Sequence, residues 1–117
     1  MVLVPGTDGD ARPWLREARW IKYANEENFV LVACYFRGDG AKAYDHAAGG
    51  SGQALLNQLD VVRKKQGWPD LPVLVLGHSA GAQFAFQLAR WNPQRVKAYV
   101  GIKAGGYAMM RGKSCPR

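Results

Sequence analysis

Ser79 stands between two glycines in the run Gly77-His78-Ser79-Ala80-Gly81. Upstream, Val73-Leu74-Val75-Leu76 reads as a buried strand, and Ala82-Gln83-Phe84-Ala85-Phe86 downstream reads as a helix. A strand-to-helix turn this tight forces its serine into a strained backbone conformation and lifts the hydroxyl above the sheet. Glycine is required at 77 and 81 because a side chain at either place would collide across the turn. The first N–H groups of the helix lack intrahelical acceptors and carry partial positive charge. The Ala80 N–H is therefore one arm of an oxyanion hole, and the chemistry available is nucleophilic attack by Ser79 on a carbonyl. The plainer alternative is that Ser79 only caps the helix, which serine often does.

A nucleophilic serine needs a base, and the chain holds two histidines, His46 and His78. His78 precedes Ser79 directly, so its side chain is expected to point away and to line a pocket. His46 lies in the loop from Tyr35 to Gly50, which leaves the carboxyl end of its strand, the edge where open α/β sheets form sites. An imidazole near its ordinary pKa of ~6.5 is suited to taking the serine proton. Asp8, Asp10, Asp39 and Asp45 lie on the same side as candidates to orient it. The bland reading of His46 is a solvated loop residue. Asp8 and Tyr107 are further candidates for contact with a substrate.

These residues need elements to hold them. Val2 to Val4 reads as a short strand closed by Pro5-Gly6, and Pro13 to Glu26 as a helix with Trp14, Ala18, Ile21 and Asn25 on one stripe. Phe29 to Cys34 is a continuous apolar run, as in a strand covered on both faces. Ser51 is expected to cap the next helix, whose stripe is Leu55, Leu56, Leu59 and Val62. That helix should end at Lys64, Lys65 and Gly67, before Pro69. Pro72 to Leu76, Ala80 to Trp91 and Val96 to Ile102 complete the chain as strand, helix and strand. Strands alternating with helices predict an α/β fold. We expect a minimal three-layer sandwich, with a short, mostly parallel sheet of about four strands and about three flanking helices.

The bulk properties narrow the function classes. The chain has 117 residues, enough for one small domain. Its 48% hydrophobic content is that of a globular chain. No apolar run approaches the ~20 residues that span a bilayer, and the start carries no positively charged leader, so the expected compartment is the cytoplasm. Cys34 and Cys115 give neither a disulfide framework nor zinc spacing, and no metal or cofactor is expected. Gly50-Ser51-Gly52 has Leu55 where a dinucleotide fingerprint needs a third glycine. The net charge of +7 is spread over a helix face and the tail without a nucleic-acid motif, so no nucleic-acid or membrane partner is expected.

The elbow in its strand-turn-helix setting resembles that of the α/β-hydrolase fold. The resemblance extends to Val2-Leu3-Val4-Pro5-Gly6-Thr7-Asp8-Gly9 and to the strand and Arg-Gly-Asp-Gly turn between Phe29 and Gly40. It implies a serine esterase acting on small-molecule esters through an acyl-enzyme, with residues 1–117 forming a single partial domain of that type. In the family, the loop after the first of these strands supplies the second oxyanion donor, which maps onto the Thr7 N–H. Pro5 stands where the family usually has histidine, leaving that donor open among Gly6, Thr7 and Asp8. The family's strand order puts the strand before His46 two positions from the nucleophile strand. The family also places its acid and its histidine after the serine, yet no Asp, Glu or His follows Ser79 here. The alternative is a catalytically incomplete fragment serving as a binding or dimerisation module. Either way the last strand is expected to present an open apolar edge, suited to a homodimer that could also contribute a histidine.

Overall fold

In the computed structural model, residues 1–6, 9–36 and 50–104 are described. Strand β1 (Val2–Val4) leads through a 3₁₀ turn (Arg12–Arg16) to helix α1 (Ala18–Glu26), and then to β2 (Val32–Ala33). Helix α2 (Ser51–Gln66), strand β3 (Val73–His78), helix α3 (Ala80–Trp91) and strand β4 (Val96–Ile102) follow. The strands pair in the order β2-β1-β3-β4, every pair parallel. This is the expected small α/β architecture, and β2 does lie two positions from the strand that precedes Ser79.

The two faces of the sheet are covered unequally. On one, Val2, Val4, Val75 and Val96 pack with Leu55 and Leu56 of α2 and with Phe84, Ala85 and Leu88 of α3. On the other, among the described residues only Leu3, Ala11 and Leu76 are buried, with Met1, Trp14, Trp20, Leu31 and Ala33 packed against them. The second layer thus covers β1 and β2 and leaves Val100 and Ile102 of β4 exposed.

Several boundaries differ from the sequence reading. The helix expected over residues 13–26 breaks at Glu17, which is extended (φ −72°, ψ 114°). Trp14 and Trp20 would stand about 120° apart around one continuous helix at ~100° per residue; the break lets both reach the same cluster. Of the expected stripe only Trp14 packs inward; Ala18, Ile21 and Asn25 are exposed, Ile21 by 47%. Strand β2 keeps two residues of the expected six because β1, its only partner among the described residues, pairs with it just at Val2↔Val32 and Leu3↔Ala33. Ser51 is not the cap of α2: it is the first helical residue, and Gly50 at φ 118° holds the cap position. Strand β3 runs past Leu76 to His78 because β4 stays paired with it as far as Ile102.

The far end of α2 closes as expected. Gly67 is left-handed at φ 70°, its N–H donates to the Lys64 carbonyl, and the Trp68 N–H donates to that of Arg63. This crossed pair satisfies two carbonyls that the helix end would leave orphaned. Cys34 is buried, and burial pushes its thiol up to about 12, so it is protonated and unreactive at neutral pH.

Phe84 is fully buried, with Phe36 tilted against it at 5.5 Å. Truncating such a ring costs about 3–5 kcal/mol, a large share of the ~5–15 kcal/mol that holds a domain together. Phe84→Ala is expected to lower the unfolding free energy by that amount in urea titrations followed by circular dichroism. A loss below about 1 kcal/mol would contradict the burial described.

Candidate functional site

Strand β3 ends at His78, α3 begins at Ala80, and Ser79 alone makes the turn between them. Its backbone sits at φ 56°, ψ −119°. For a residue with a Cβ this is a strained region, costing on the order of 1–3 kcal/mol that the surroundings must supply. Three contacts supply it. A Cβ on Gly77 would fall 1.9 Å from the Gly81 carbonyl oxygen, so the strand and the first turn of α3 touch backbone to backbone. A Cβ on Gly81 would fall 2.4 Å from the carbonyl oxygens of Val4 and Pro5, so α3 is also pressed against the end of β1. Finally, the Ser79 N–H donates to the Ile102 carbonyl at 2.9 Å, tying the turn to the last residue of β4.

The Ser79 side chain makes no capping hydrogen bond. A capping serine has extended backbone angles and spends its hydroxyl on an N–H of the first turn; Ser79 does neither, and the capping alternative falls. The N–H groups of Ala82 and Gln83 donate to the Ser79 carbonyl at 2.9 and 3.4 Å. That leaves the donors at the tip of α3 to Ala80 and Gly81, and Ala80 is its first residue.

The loop after β1 passes beside the elbow. A Cβ on Gly6 would lie 3.6 Å from both the Ser79 Cβ and the His78 Nδ1, an ordinary contact distance. Thr7 and Asp8 lie outside the described residues, as do His46, Tyr107, Asp39 and Asp45. Asp10 is described and is committed elsewhere. Arg12 Nε and Nη2 each donate to it at 2.9 Å, and these bonds hold its carboxyl below the usual range. Arg12 in turn lies 3.9 Å over the Tyr35 ring, and an isolated antiparallel bridge joins Asp10 to Tyr35.

His78 is half-buried at the head of an open groove of about 580 Å³, lined also by Trp14, Trp20, Tyr23, Leu76 and Ile102. One contributor escapes the sequence reading. The Ile102 carbonyl emerges only from the β3–β4 register, which carries a bulge between Val73 and Leu74 that leaves Lys97 as the extra residue. Gly6, already one of the three candidate donors that the resemblance implies, owes its closeness to Ser79 to the strand order.

The glycines divide cleanly between fold and site. Gly81→Ala sets a methyl against main chain and is expected to cost about 1–3 kcal/mol or more in denaturant titrations. Gly6→Ala has room and should leave the unfolding free energy within about 0.5 kcal/mol of wild type. The reverse order would contradict the described packing.

No protein-family model, curated protein or solved structure matches this chain.

Proposed function

We propose that this chain is a serine hydrolase of the α/β-hydrolase type acting on carboxylic esters, with Ser79 as nucleophile. The observation that carries the reading is the left-handed backbone of Ser79 at a strand-to-helix turn, its hydroxyl unspent on capping. Strain of this kind persists only where surrounding contacts over-determine it, and it gathers at functional sites.

In the proposed reaction the Ser79 Oγ attacks the ester carbonyl carbon while a base takes its proton. The oxyanion is held by the Ala80 N–H and by a donor from the loop after β1, Thr7 or its neighbours Gly6 and Asp8. Collapse of the tetrahedral intermediate breaks the bond to the alcohol, which leaves with the proton. Water then releases the acid from the acyl-enzyme. The base of this reading is His46, with Asp8, His78 and Tyr107 contacting the substrate.

A fluorophosphonate probe is expected to label Ser79, and Ser79→Ala should abolish both labelling and turnover of p-nitrophenyl esters. Absence of an adduct in the folded protein would remove the esterase reading. His46→Ala should lower turnover by roughly two to four orders of magnitude; unchanged turnover would dismiss His46 as the base.

The alternative, a non-catalytic dimerisation module, has its own supporting observation. Among the described residues β4 is an edge strand, and Tyr99, Val100 and Ile102 on it are exposed. Unpaired strand edges with apolar side chains are templates for pairing with another chain. Lys97 at the bulge interrupts the edge near its start, so pairing between two copies is confined to the stretch from Ala98 onward. Sedimentation is expected to give a dimer that Val100→Lys converts to monomer; a monomer at all concentrations would dismiss this pairing.

A further inference from the structure

At the amino end of the sheet, opposite Ser79, lies a cavity of about 370 Å³. Val2 and Val73 come from the starts of β1 and β3, Leu59 and Val62 from α2, and Trp68 and Leu71 from the connection between α2 and β3. Against these apolar walls stand Arg63 and Arg95. The size lies at the lower end of the ~300–1,000 Å³ typical of small-molecule pockets, and an apolar lining with a few placed polar groups is their usual chemistry.

The two arginines are unequally satisfied. Arg95 forks onto Asp60, with Nη1 to Oδ2 at 3.2 Å and Nη2 to Oδ1 at 2.9 Å. That fork holds the Asp60 carboxyl below its usual range. Arg63 is left at the side of the same carboxylate, its Nε 3.9 Å from Oδ1, beyond hydrogen-bond reach. The Nε of Arg63 is buried without an acceptor, as is that of Arg95; the difference is that among the described residues no acid lies within hydrogen-bond reach of the Arg63 guanidinium. A guanidinium carries five donors, and no described acid takes up those of Arg63 at hydrogen-bond distance.

The remaining charged groups are the Asp70 carboxylate and the Met1 ammonium, which donates to the Val30 carbonyl. The Arg63 and Arg95 side chains balance Asp60 and Asp70, and burial lowers the pKa of the Met1 ammonium, so the positive character of the cavity is local to the Arg63 guanidinium. An inorganic anion would satisfy Arg63 but leave the apolar walls in water. A neutral apolar molecule would cover the walls and leave Arg63 unsatisfied. A molecule with a carboxylate at one end and a hydrocarbon body meets both demands.

We infer that this cavity binds a free aliphatic monocarboxylate, its head forked by the Arg63 guanidinium and its body lying along Leu59, Val62, Trp68 and Leu71. Carboxylate and guanidinium match as paired donors and acceptors, which fixes orientation as well as sign. The site uses no atom of the elbow and stands whether or not Ser79 is a nucleophile.

Octanoate is the probe. Titrated into the whole chain by calorimetry, it is expected to bind saturably at one site and to alter tryptophan emission. Arg63→Gln should weaken binding at least tenfold, and Trp68→Phe should remove the emission change while Trp91→Phe keeps it. Octanol at equal concentration should not compete, and Ser79→Ala should bind as wild type does. The proposal is overturned if octanoate does not bind saturably, if Arg63→Gln binds equally well, or if octanol competes as an equal. Loss of binding in Ser79→Ala would also overturn it, by placing the octanoate at the elbow. Should Arg63→Gln fail to fold by circular dichroism, Val62→Trp, made at a partly exposed position on the wall, is expected to block the cavity and abolish binding. Retained affinity in that variant sinks the proposal equally.

Discussion

The first turn of α3 lies so close to the end of β1 that no side chain fits between them, and the rest of the molecule is arranged around that approach. Gly81 meets the Val4 and Pro5 carbonyl oxygens at a distance that excludes even a methyl group. Because α3 follows β3 through one residue, this contact fixes how steeply the helix leaves the strand. A turn that abrupt has no room for ordinary angles at its corner, so Ser79 takes a left-handed conformation. The same approach sets Gly6 beside Ser79, so near that an added methyl would just touch the Ser79 Cβ. The strain at one residue and the assembly of the site around it have a single steric origin.

The unequal coverage of the sheet gives the two ends of the molecule different characters. Stability comes mainly from the layer between the sheet and α2 with α3, where Phe84, Leu56 and Leu88 are fully buried. The opposite layer has fewer buried residues, and its helix is broken so that two tryptophans can share one cluster. The Asp60–Arg95 pair ties α2 to the connection between α3 and β4. It is partly exposed, so its contribution is modest and depends on salt. Its more telling effect is to take up the carboxylate that Arg63 would otherwise have.

What the sequence made legible was whatever short-range chemistry dictates. The elbow, the ends of α3, the span of β4 and the left-handed closure at Gly67 each follow from a few adjacent residues, and each stands where expected. What it hid depended on partners distant in the chain. Phe29 to Val30 is apolar enough for a strand, but a strand needs a neighbour, and β1 is too short to offer one. The stripe through Ala18 and Ile21 has helical spacing, yet the sheet lies where Trp14 and Trp20 can meet it together, and that geometry sets the break at Glu17. At Ser51 the local rule for caps lost to a glycine one residue earlier that could take a positive φ. Of the site, Ser79, Ala80 and the flanking glycines were readable. The Ile102 carbonyl was not, because a single bulge shifts the register that delivers it.

The bond from the Ser79 N–H to the Ile102 carbonyl links the most strained residue of the turn to the most exposed strand of the sheet. Edge strands open locally at free energies well below that of global unfolding. Each opening of the end of β4 releases one of the restraints that hold Ser79 in its unfavourable conformation and lets the turn relax toward commoner angles. The shape of the elbow therefore draws on the rim of the sheet as well as on the backbone contacts at Gly77 and Gly81.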